Sequence, residues 1–331
     1  MHDPTDGPND GPTSVPGEGE FHHRPVLLDE VRELLRPVPA GWLVDLTLGG
    51  AGHAAALLDD RPDLRLLGID RDPAALEAAA ERLAPVADRV VLRHARSDRL
   101  TDLVAEVGAE PVTAVLADLG VSSPQLDRPE RGFSYSKSGP LDMRQDPTQP
   151  RTAADIVNGW DEARLARLLR DEGDERFARR IAAAIVASRP LGTTTELADA
   201  VRDAIPAPAR RRGGHPAKRT FQAIRIAVND ELTVLADTLD QALAALAPGG
   251  RAVVMSYQSN EDRIVKARFR AAADGGCTCP PGLPCVCGAV PTVRLLKRGS
   301  ITPGAEELAG NRRAESARLR AVEKLTTGSP R

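Results

Sequence analysis

A glycine-rich turn and an acidic residue 21 positions after its first glycine have the types and spacing of a nucleotide site. The turn is Gly49-Gly-Ala-Gly-His53, and the acid is Asp70. Glycines let a ligand approach the backbone and leave the N–H groups of a following helix directed at it. A carboxylate at the end of the next strand can accept both hydroxyls of a ribose. The spacing predicts a nucleoside-type ligand, although this turn alone also fits a dinucleotide fingerprint. His53 either contacts the ligand or caps the helix.

The elements around this turn predict an α/β fold. Apolar runs predict strands at 42–48, 65–70, 89–92, 112–119 and 251–257. Helical spacing between them, as at 73–83 and 100–107, predicts a largely parallel sheet covered on both faces. Residues 152–206 carry only helical patterns. We therefore predict one discontinuous α/β domain, residues 21–125 and 216–331, with an all-helical domain inserted at 126–215 for substrate recognition.

Composition limits the alternatives. The 331-residue chain has a net charge of −3, so any contact with nucleic acid must come from a local basic patch. The chain has no run of 18 apolar residues, so no membrane span is predicted. Residues 1–20 are predicted to be a disordered Pro/Gly/Asp-rich tail rather than a secretory signal. A cytoplasmic location is expected.

One basic segment, Arg210–Arg219, is interpreted as a phosphate-binding surface rather than a solvated face. Its basic residues are Arg210, Arg211, Arg212, Lys218 and Arg219.

All four cysteines lie close together, as Cys277-x-Cys279-x5-Cys285-x-Cys287 in a Gly/Pro-rich loop. Four thiolates suit tetrahedral zinc in number, but C-x-C is tighter than the usual C-x2-C spacing. The loop could equally be stapled by disulfides or hold simple thiols. The sequence alone assigns no metal ligand.

From His23 to Leu319 the chain resembles the bacterial 16S ribosomal RNA cytosine-N4 methyltransferase family of the MraW type. The matching stretches stand in one order: His23–Leu28, Ala117–Asp127, Arg131–Ser134, Gly139–Arg144, Gly173–Ala178, His215–Ala223, Glu261–Lys266 and Asn311–Ala317. The resemblance implies a class I methyltransferase fold dependent on S-adenosyl-L-methionine. It also implies methyl transfer to the exocyclic amine of a cytidine in the decoding region of the small ribosomal subunit.

The resemblance also implies a set of cofactor contacts. By position they fall on Ala51, Gly52, His53, Asp70, Asp118 and Gln125. A further contact, usually aromatic in the family, falls at Ser97, which cannot stack on adenine. A second departure is Tyr257-Gln-Ser-Asn260, where many relatives carry Phe-His-Ser-Leu.

The chemistry of a cytosine amine singles out Asp118 as the candidate catalytic residue. The amine lone pair is delocalised into the ring, so transfer needs in-line placement and an acceptor that steadies the growing positive charge. Asp118 ends a predicted strand and could serve the cofactor, the amine or both; the alternative is a structural carboxylate. The following Leu-Gly-Val differs from the Pro-Pro-aromatic motif of DNA amino-methyltransferases.

An unstacked base needs aromatic platforms, and aromatics are only 3% of the chain. Phe133, Tyr135 and Tyr257 flank the motifs and are the stacking candidates. The aromatics in helical patterns, Trp160, Phe177 and Phe269, are expected in the core.

Two other functions remain open from the sequence. The glycine turn alone permits an NAD-dependent oxidoreductase, and an old methyltransferase fold could persist in a non-catalytic RNA-binding ribosome-assembly factor. The expected partner is 16S rRNA in the small ribosomal subunit, with no membrane partner. A homodimer is left open.

Overall fold

A sheet of seven strands runs through the molecule in the order β3-β2-β1-β4-β5-β7-β6. The computed structural model describes residues 24–210, 214–280 and 286–326. The predicted tail at 1–20 lies outside these residues. The strands are β1 Gly41–Asp45, β2 Leu64–Asp70, β3 Val90–His94, β4 Val112–Asp118, β5 Leu246–Ser256, β6 Val293–Leu295 and β7 Arg318–Lys324.

Strands β1 to β5 pair in parallel, and β7 runs antiparallel to both β5 and β6. Their apolar sequences follow from burial on both faces. Within β4, Leu116 packs on one side of the sheet and Val115 on the other. The predicted largely parallel sheet is therefore confirmed.

Helices cover both faces of this sheet. Helices α1, α2 and α3 pack on the Leu116 face, while α4, α12 and α13 pack on the Val115 face. The helices are α1 Leu28–Leu35, α2 Gly52–Asp60, α3 Pro73–Leu83, α4 Leu100–Val107, α5 Ser123–Asp127, α6 Ala153–Gly159, α7 Glu162–Asp171, α8 Ala178–Ala187, α9 Thr194–Ala204, α10 Ala207–Arg210, α11 Lys218–Asn229, α12 Glu231–Ala245, α13 Ser259–Asp274 and α14 Ala305–Gly310. None of them, within the described residues, is both long and apolar enough to cross a membrane.

Helices α6 to α9 and α11, which form the helical region between β4 and β5, have a hydrophobic core of their own. It is built around side chains such as Ile156, Leu169 and Ile181, which are fully buried. Phe221 of α11 joins the same core although it lies beyond residue 215. Helices α11 and α12 are separate because Asp230 adopts a left-handed conformation with φ of 51°.

Candidate cofactor and active site

Three carboxylates stand at the carboxyl ends of three adjacent parallel strands. Asp45 ends β1, Asp70 ends β2 and Asp118 ends β4. Ligands of open α/β sheets bind at the carboxyl ends of the strands, at the point where the strand order changes direction. Here that point is β1, since β2 and β3 lie on one side of it and β4 and β5 on the other. Asp70 and Asp118 therefore lie at the same edge of the sheet, as their predicted positions at strand ends indicated.

The turn between β1 and α2 is shaped by two left-handed residues, Gly49 with φ of 51° and Ala51 with φ of 57°. The backbone N–H of Gly49 donates to Oδ2 of Asp70 at 2.8 Å, and that of Asp72 donates to Oδ1 at 2.8 Å. These bonds fix the carboxylate plane of Asp70. A Cβ on Gly50 would meet no atom within 4 Å, so the turn faces open space that a ligand can fill.

The outer side of the turn is held by residues 25–26. A Cβ on Gly52 would lie 2.7 Å from Cγ of Pro25, so only glycine allows this approach. Nε2 of buried His53 lies 2.9 Å from the carbonyl oxygen of Val26, which makes Nε2 the protonated nitrogen. His53 therefore anchors this segment to α2. Residue His23 of the same motif lies outside the described residues.

Asp118 is positioned by two neighbours. Its backbone N–H donates to the hydroxyl of Thr47 at 2.6 Å, and its Oδ1 accepts the hydroxyl of Tyr257 at 2.7 Å. Burial and the Asp118 carboxylate raise the pKa of Tyr257 far above its ordinary value, so it stays a donor. Tyr257 is itself held through its backbone N–H, which donates to Oε2 of buried Glu261 at 2.9 Å.

Gln125 belongs to a buried polar network rather than standing alone. Its Nε2 donates to Oδ2 of Asp72 at 2.9 Å, and Nη1 of Arg131 donates to the same oxygen at 2.7 Å. Its Oε1 accepts the backbone N–H of Ser122 at 3.0 Å, which caps α5. The network ties the segment after β4 to Asp72, which follows Asp70 at the end of β2.

Burial changes the charge state expected at this edge. It raises the pKa of Asp45 to about 7, with smaller contributions from the carboxylates of Asp118 and Asp70. Burial also raises the pKa of Asp70, against the two N–H donors that lower it. A cationic or hydroxyl-bearing ligand at this edge would relieve the desolvation of these acids.

The hydroxyl of Ser97 is directed at a neighbouring helix rather than at the glycine-rich turn. Its Oγ lies 2.9 Å from Oγ1 of Thr238 in α12, so the side chain ties the segment before α4 to a neighbouring helix. This bond gives Ser97 a structural partner that the sequence did not predict.

The stacking candidates occupy different environments. Phe133 is 5% exposed and packs in the core of the helical region, so its ring offers no open face to a base. Tyr135 is half-buried and stacks on His215 with ring centroids 4.3 Å apart. Tyr257 lies at the strand edge beside Asp118. Of the three rings expected in the core, Phe269 is 1% exposed; Trp160 and Phe177 are partly buried.

The basic segment is described only in part, because Arg211 and Arg212 lie outside the described residues. Nε of Arg210 donates to the carbonyl oxygen of Ile205 at 2.6 Å, which directs part of its guanidinium inward. Nη1 of Arg219 donates to the carbonyl oxygen of Asp174 at 2.9 Å. Lys218 and Arg219 are both exposed at the first turn of α11.

Several residues of the site were missed from the sequence. Asp45, Asp72, Arg131 and Glu261 all support it, through the bonds described above. Asp45 had a usable signal, because an acid inside the apolar run 42–48 must lie at a strand end or be buried at a cost. Asp72 and Arg131 act through partners that are 53 and 59 positions away, which no local pattern reveals. Glu261 instead acts on the backbone of Tyr257, four positions before it.

The edge fits S-adenosylmethionine. Asp70 offers a fixed carboxylate for the ribose hydroxyls, and the space before Gly50 admits a ligand close to the backbone. Asp118 stands on the next strand but one, where a reacting group would lie. A doubly wound sheet with this site and a reversed β7 defines a class I methyltransferase.

Comparison with known proteins identifies the family. The model of the MraW methylase family matches residues 20–325. The ribosomal RNA small subunit methyltransferase H of Mycobacterium sp. (strain KMS) is 55% identical over 314 residues, covering 92% of this chain and 84% of the relative. The protein of that name from Symbiobacterium thermophilum is 51% identical over 313 residues, covering 93% and 98%.

A solved rRNA methylase from Streptococcus thermophilus is 12% identical, with coverage of 90% and 94% and a TM-score of 0.39. The assignment rests on the sequence matches. The chain belongs to the MraW methylase family. It is a methyltransferase that uses S-adenosylmethionine, and the dehydrogenase alternative is removed.

Proposed function

We propose that this enzyme methylates the exocyclic N4 amine of a cytidine in the decoding region of 16S rRNA, in the small ribosomal subunit of the cytoplasm. The name of its relatives, ribosomal RNA small subunit methyltransferase H, supports rRNA as the substrate. The observation that carries the choice of an amine is the Asp118–Tyr257 pair at the ligand edge of β4.

The pair suits an amine that gains positive charge as it reacts. When bound, S-adenosylmethionine would supply an electrophilic methyl group on a sulfonium, and its sulfur would leave as a thioether. The carboxylate of Asp118 would accept an N–H of the amine as N4 takes up the methyl group and gains positive charge. The amine proton then passes to this carboxylate or to water. Tyr257 holds Oδ1 of Asp118 in place by donating to it, which pre-orients the acceptor.

The cysteines argue against methylation of a ring carbon. Methyl transfer to C5 of cytosine needs a thiolate that first adds to C6 of the ring. All four cysteines fall within 277–287, and the three that the structure describes follow α13, on the chain leading to β6 at the far edge of the sheet. Asp118 on β4 is separated from β6 by β5 and β7. This placement of the cysteines speaks against a ring carbon as the acceptor and supports the proposed amine.

The helical region next to this edge is the proposed rRNA-binding surface. It meets the strand edge at the loop after β5, where Nε2 of Gln222 in α11 donates to Oε1 of Gln258. Tyr135 stacks on His215, and Lys218 and Arg219 are exposed at the start of α11. We propose that these four residues contact the RNA. Phe133 contributes to the core of the helical region rather than by stacking on a base.

One experiment tests the reaction. The enzyme is incubated with methyl-labelled S-adenosylmethionine and small subunits from cells that lack it, and the rRNA is digested to nucleosides. Label in N4-methylcytidine, lost with Asp118→Asn, is the expected result. Label in 5-methylcytidine would overturn the amine assignment. Cofactor binding without label in any nucleoside would overturn the proposed substrate.

A further inference from the structure

Three cysteines meet in the loop between α13 and β6. Cys277 and Cys279 follow the end of α13, and Cys287 lies on the return toward β6. Their Sγ atoms all lie within 4.8 Å of one another. The Sγ atoms of Cys277 and Cys287 are 3.6 Å apart, well beyond a disulfide bond of about 2.05 Å.

The separation suits a shared metal ion. Thiolates bound to tetrahedral zinc at about 2.3 Å lie about 3.8 Å from one another. The backbone N–H of Val286 also donates to Sγ of Cys279 at 3.4 Å. Such N–H donors stabilise the charge on metal-bound thiolates and fix their orientation.

The backbone is bent to produce this meeting. Gly275 and Gly276 both adopt left-handed conformations, with φ of 65° and 71°, and reverse the chain after α13. A Cβ on Gly275 would lie 2.4 Å from the carbonyl carbon of Val290, so the backbone segments that leave α13 and return toward β6 are in contact there. Glycine is required at this close approach.

Apolar burial cannot explain why this loop is held closed. Val286 is 89% exposed and Val290 is 73% exposed, so the two large apolar side chains near Cys287 contribute little to packing. A segment without its own core needs a crosslink or a metal to fix its shape. The three thiols that meet in this loop have the spacing to supply the metal site.

We propose that Cys277, Cys279 and Cys287 bind a structural Zn²⁺ ion. Thiolate ligands select zinc among the common hard and borderline divalent ions. The site is structural because the chain between α13 and β6 lies beyond β5 and β7 from Asp118. Zinc takes a fourth ligand in such sites. Cys285 has the right type but lies outside the described residues.

Metal analysis of the full chain, purified without a histidine tag under reducing conditions, tests the proposal. We expect about one zinc per chain, falling below about a tenth in the Cys277→Ser/Cys287→Ser variant. Thr278→Ala is the matched control, because Thr278 is exposed between two of the ligands and should leave the zinc in place. Circular dichroism shows whether the double variant keeps its fold.

A second measurement does not depend on any variant. The wild-type chain, stripped with a chelator and given Co²⁺, should develop the visible absorption of tetrahedral cobalt with thiolate ligands. Wild-type protein that holds no zinc and binds neither ion at micromolar concentration would overturn the proposal. Iron in place of zinc, or a disulfide between these cysteines in freshly purified protein, would also overturn it.

Discussion

The hydroxyl of Tyr257 donates to Oδ1 of Asp118 at 2.7 Å, joining residues that are 139 positions apart. We expect Tyr257→Phe to lower kcat about 10-fold, because a hydrogen bond to a charged group contributes about 1.5–3 kcal/mol. KM for S-adenosylmethionine should change less. Thr113→Val is the matched control, since it removes a buried hydroxyl at the opposite end of β4. An unchanged kcat in Tyr257→Phe would contradict this role.

The raised pKa of Tyr257 gives the same pair a spectroscopic signature. Burial and the Asp118 carboxylate disfavour the tyrosinate. The ultraviolet absorbance difference between wild type and Tyr257→Phe should therefore show no tyrosinate until alkali unfolds the protein. A tyrosinate signal from Tyr257 near pH 10, its ordinary range, would show that the hydrogen bond is absent in solution.

Asp70 and Asp118 should separate binding from turnover. Asp70→Asn removes the charge that would accept the ribose hydroxyls, and we expect calorimetry to show at least about 10-fold weaker S-adenosylmethionine binding. Asp118→Asn should keep measurable binding but lose single-turnover methyl transfer. Asp59→Asn, on the exposed end of α2, is the control for both measurements. Equal loss of binding in the two variants would contradict separate roles.

Asp45 should make the protein less stable as pH rises. Its pKa is about 7 in the fold, whereas the unfolded value is near 3.9. The unfolded chain therefore loses this proton first, and stability falls between about pH 4 and pH 7. Asp45→Asn should remove this loss and be more stable than wild type at pH 8, by on the order of 4 kcal/mol.

Denaturant unfolding at pH 4.5 and pH 8 measures the effect. The advantage of Asp45→Asn should grow with pH, whereas Asp88→Asn, an exposed control, should show no such trend. A constant difference between Asp45→Asn and wild type would mean that Asp45 is ionised at both pH values.

The glycines of the turn should fall into two classes. Gly50→Ala adds a Cβ that meets no protein atom, so the protein without cofactor should keep its Tm while S-adenosylmethionine binding weakens. Gly52→Ala places its Cβ 2.7 Å from Cγ of Pro25, so it should lower Tm as well. Thermal melts with and without cofactor distinguish the two. Full cofactor affinity in Gly50→Ala would place the ligand away from this turn.

Lys218 and Arg219 should contribute charge to rRNA binding. Changing both to Ala should weaken binding and make the slope of log affinity against log salt shallower by about 1.5, because each phosphate contact releases a counterion. Arg82→Ala, an exposed change on α3, is the control. An unchanged salt slope would exclude this face. The same assay with Arg210, Arg211 and Arg212 changed to Ala tests the rest of the basic segment.

Local patterns predicted the elements well where one face of a helix or both faces of a strand are apolar. Helix α3 was expected at 73–83 and spans those residues, with Asp72 as its cap. Strand β7 was missed because Arg318-Leu-Arg-Ala-Val-Glu-Lys324 mixes charged and apolar residues. Its burial comes from lying between β5 and β6, which is a property of the sheet rather than of the segment.

The site was predictable to the extent that strand ends were. Asp70 and Asp118 could be placed because parallel strands bring their carboxyl ends to one edge. Their partners could not, since Tyr257 comes to Asp118 through the pairing of β5 with β4, and Arg131 reaches Asp72 from 59 positions away. Phe133 shows the converse error of reasoning from flanking motifs, because a ring beside a motif can serve the core instead.

The helical region between β4 and β5 has a consequence for biosynthesis. Asp45, Asp70 and Asp118 are synthesised long before Tyr257, so the nascent chain can form the cofactor side of the site first. At that stage β4 is an edge strand, because its neighbour β5 has not yet been made. Pairing of β5 must await synthesis of the whole helical region, and β7 comes last of all. A chain interrupted before residue 246 therefore carries the cofactor side of the site next to an open strand edge, which exposes it to misassembly.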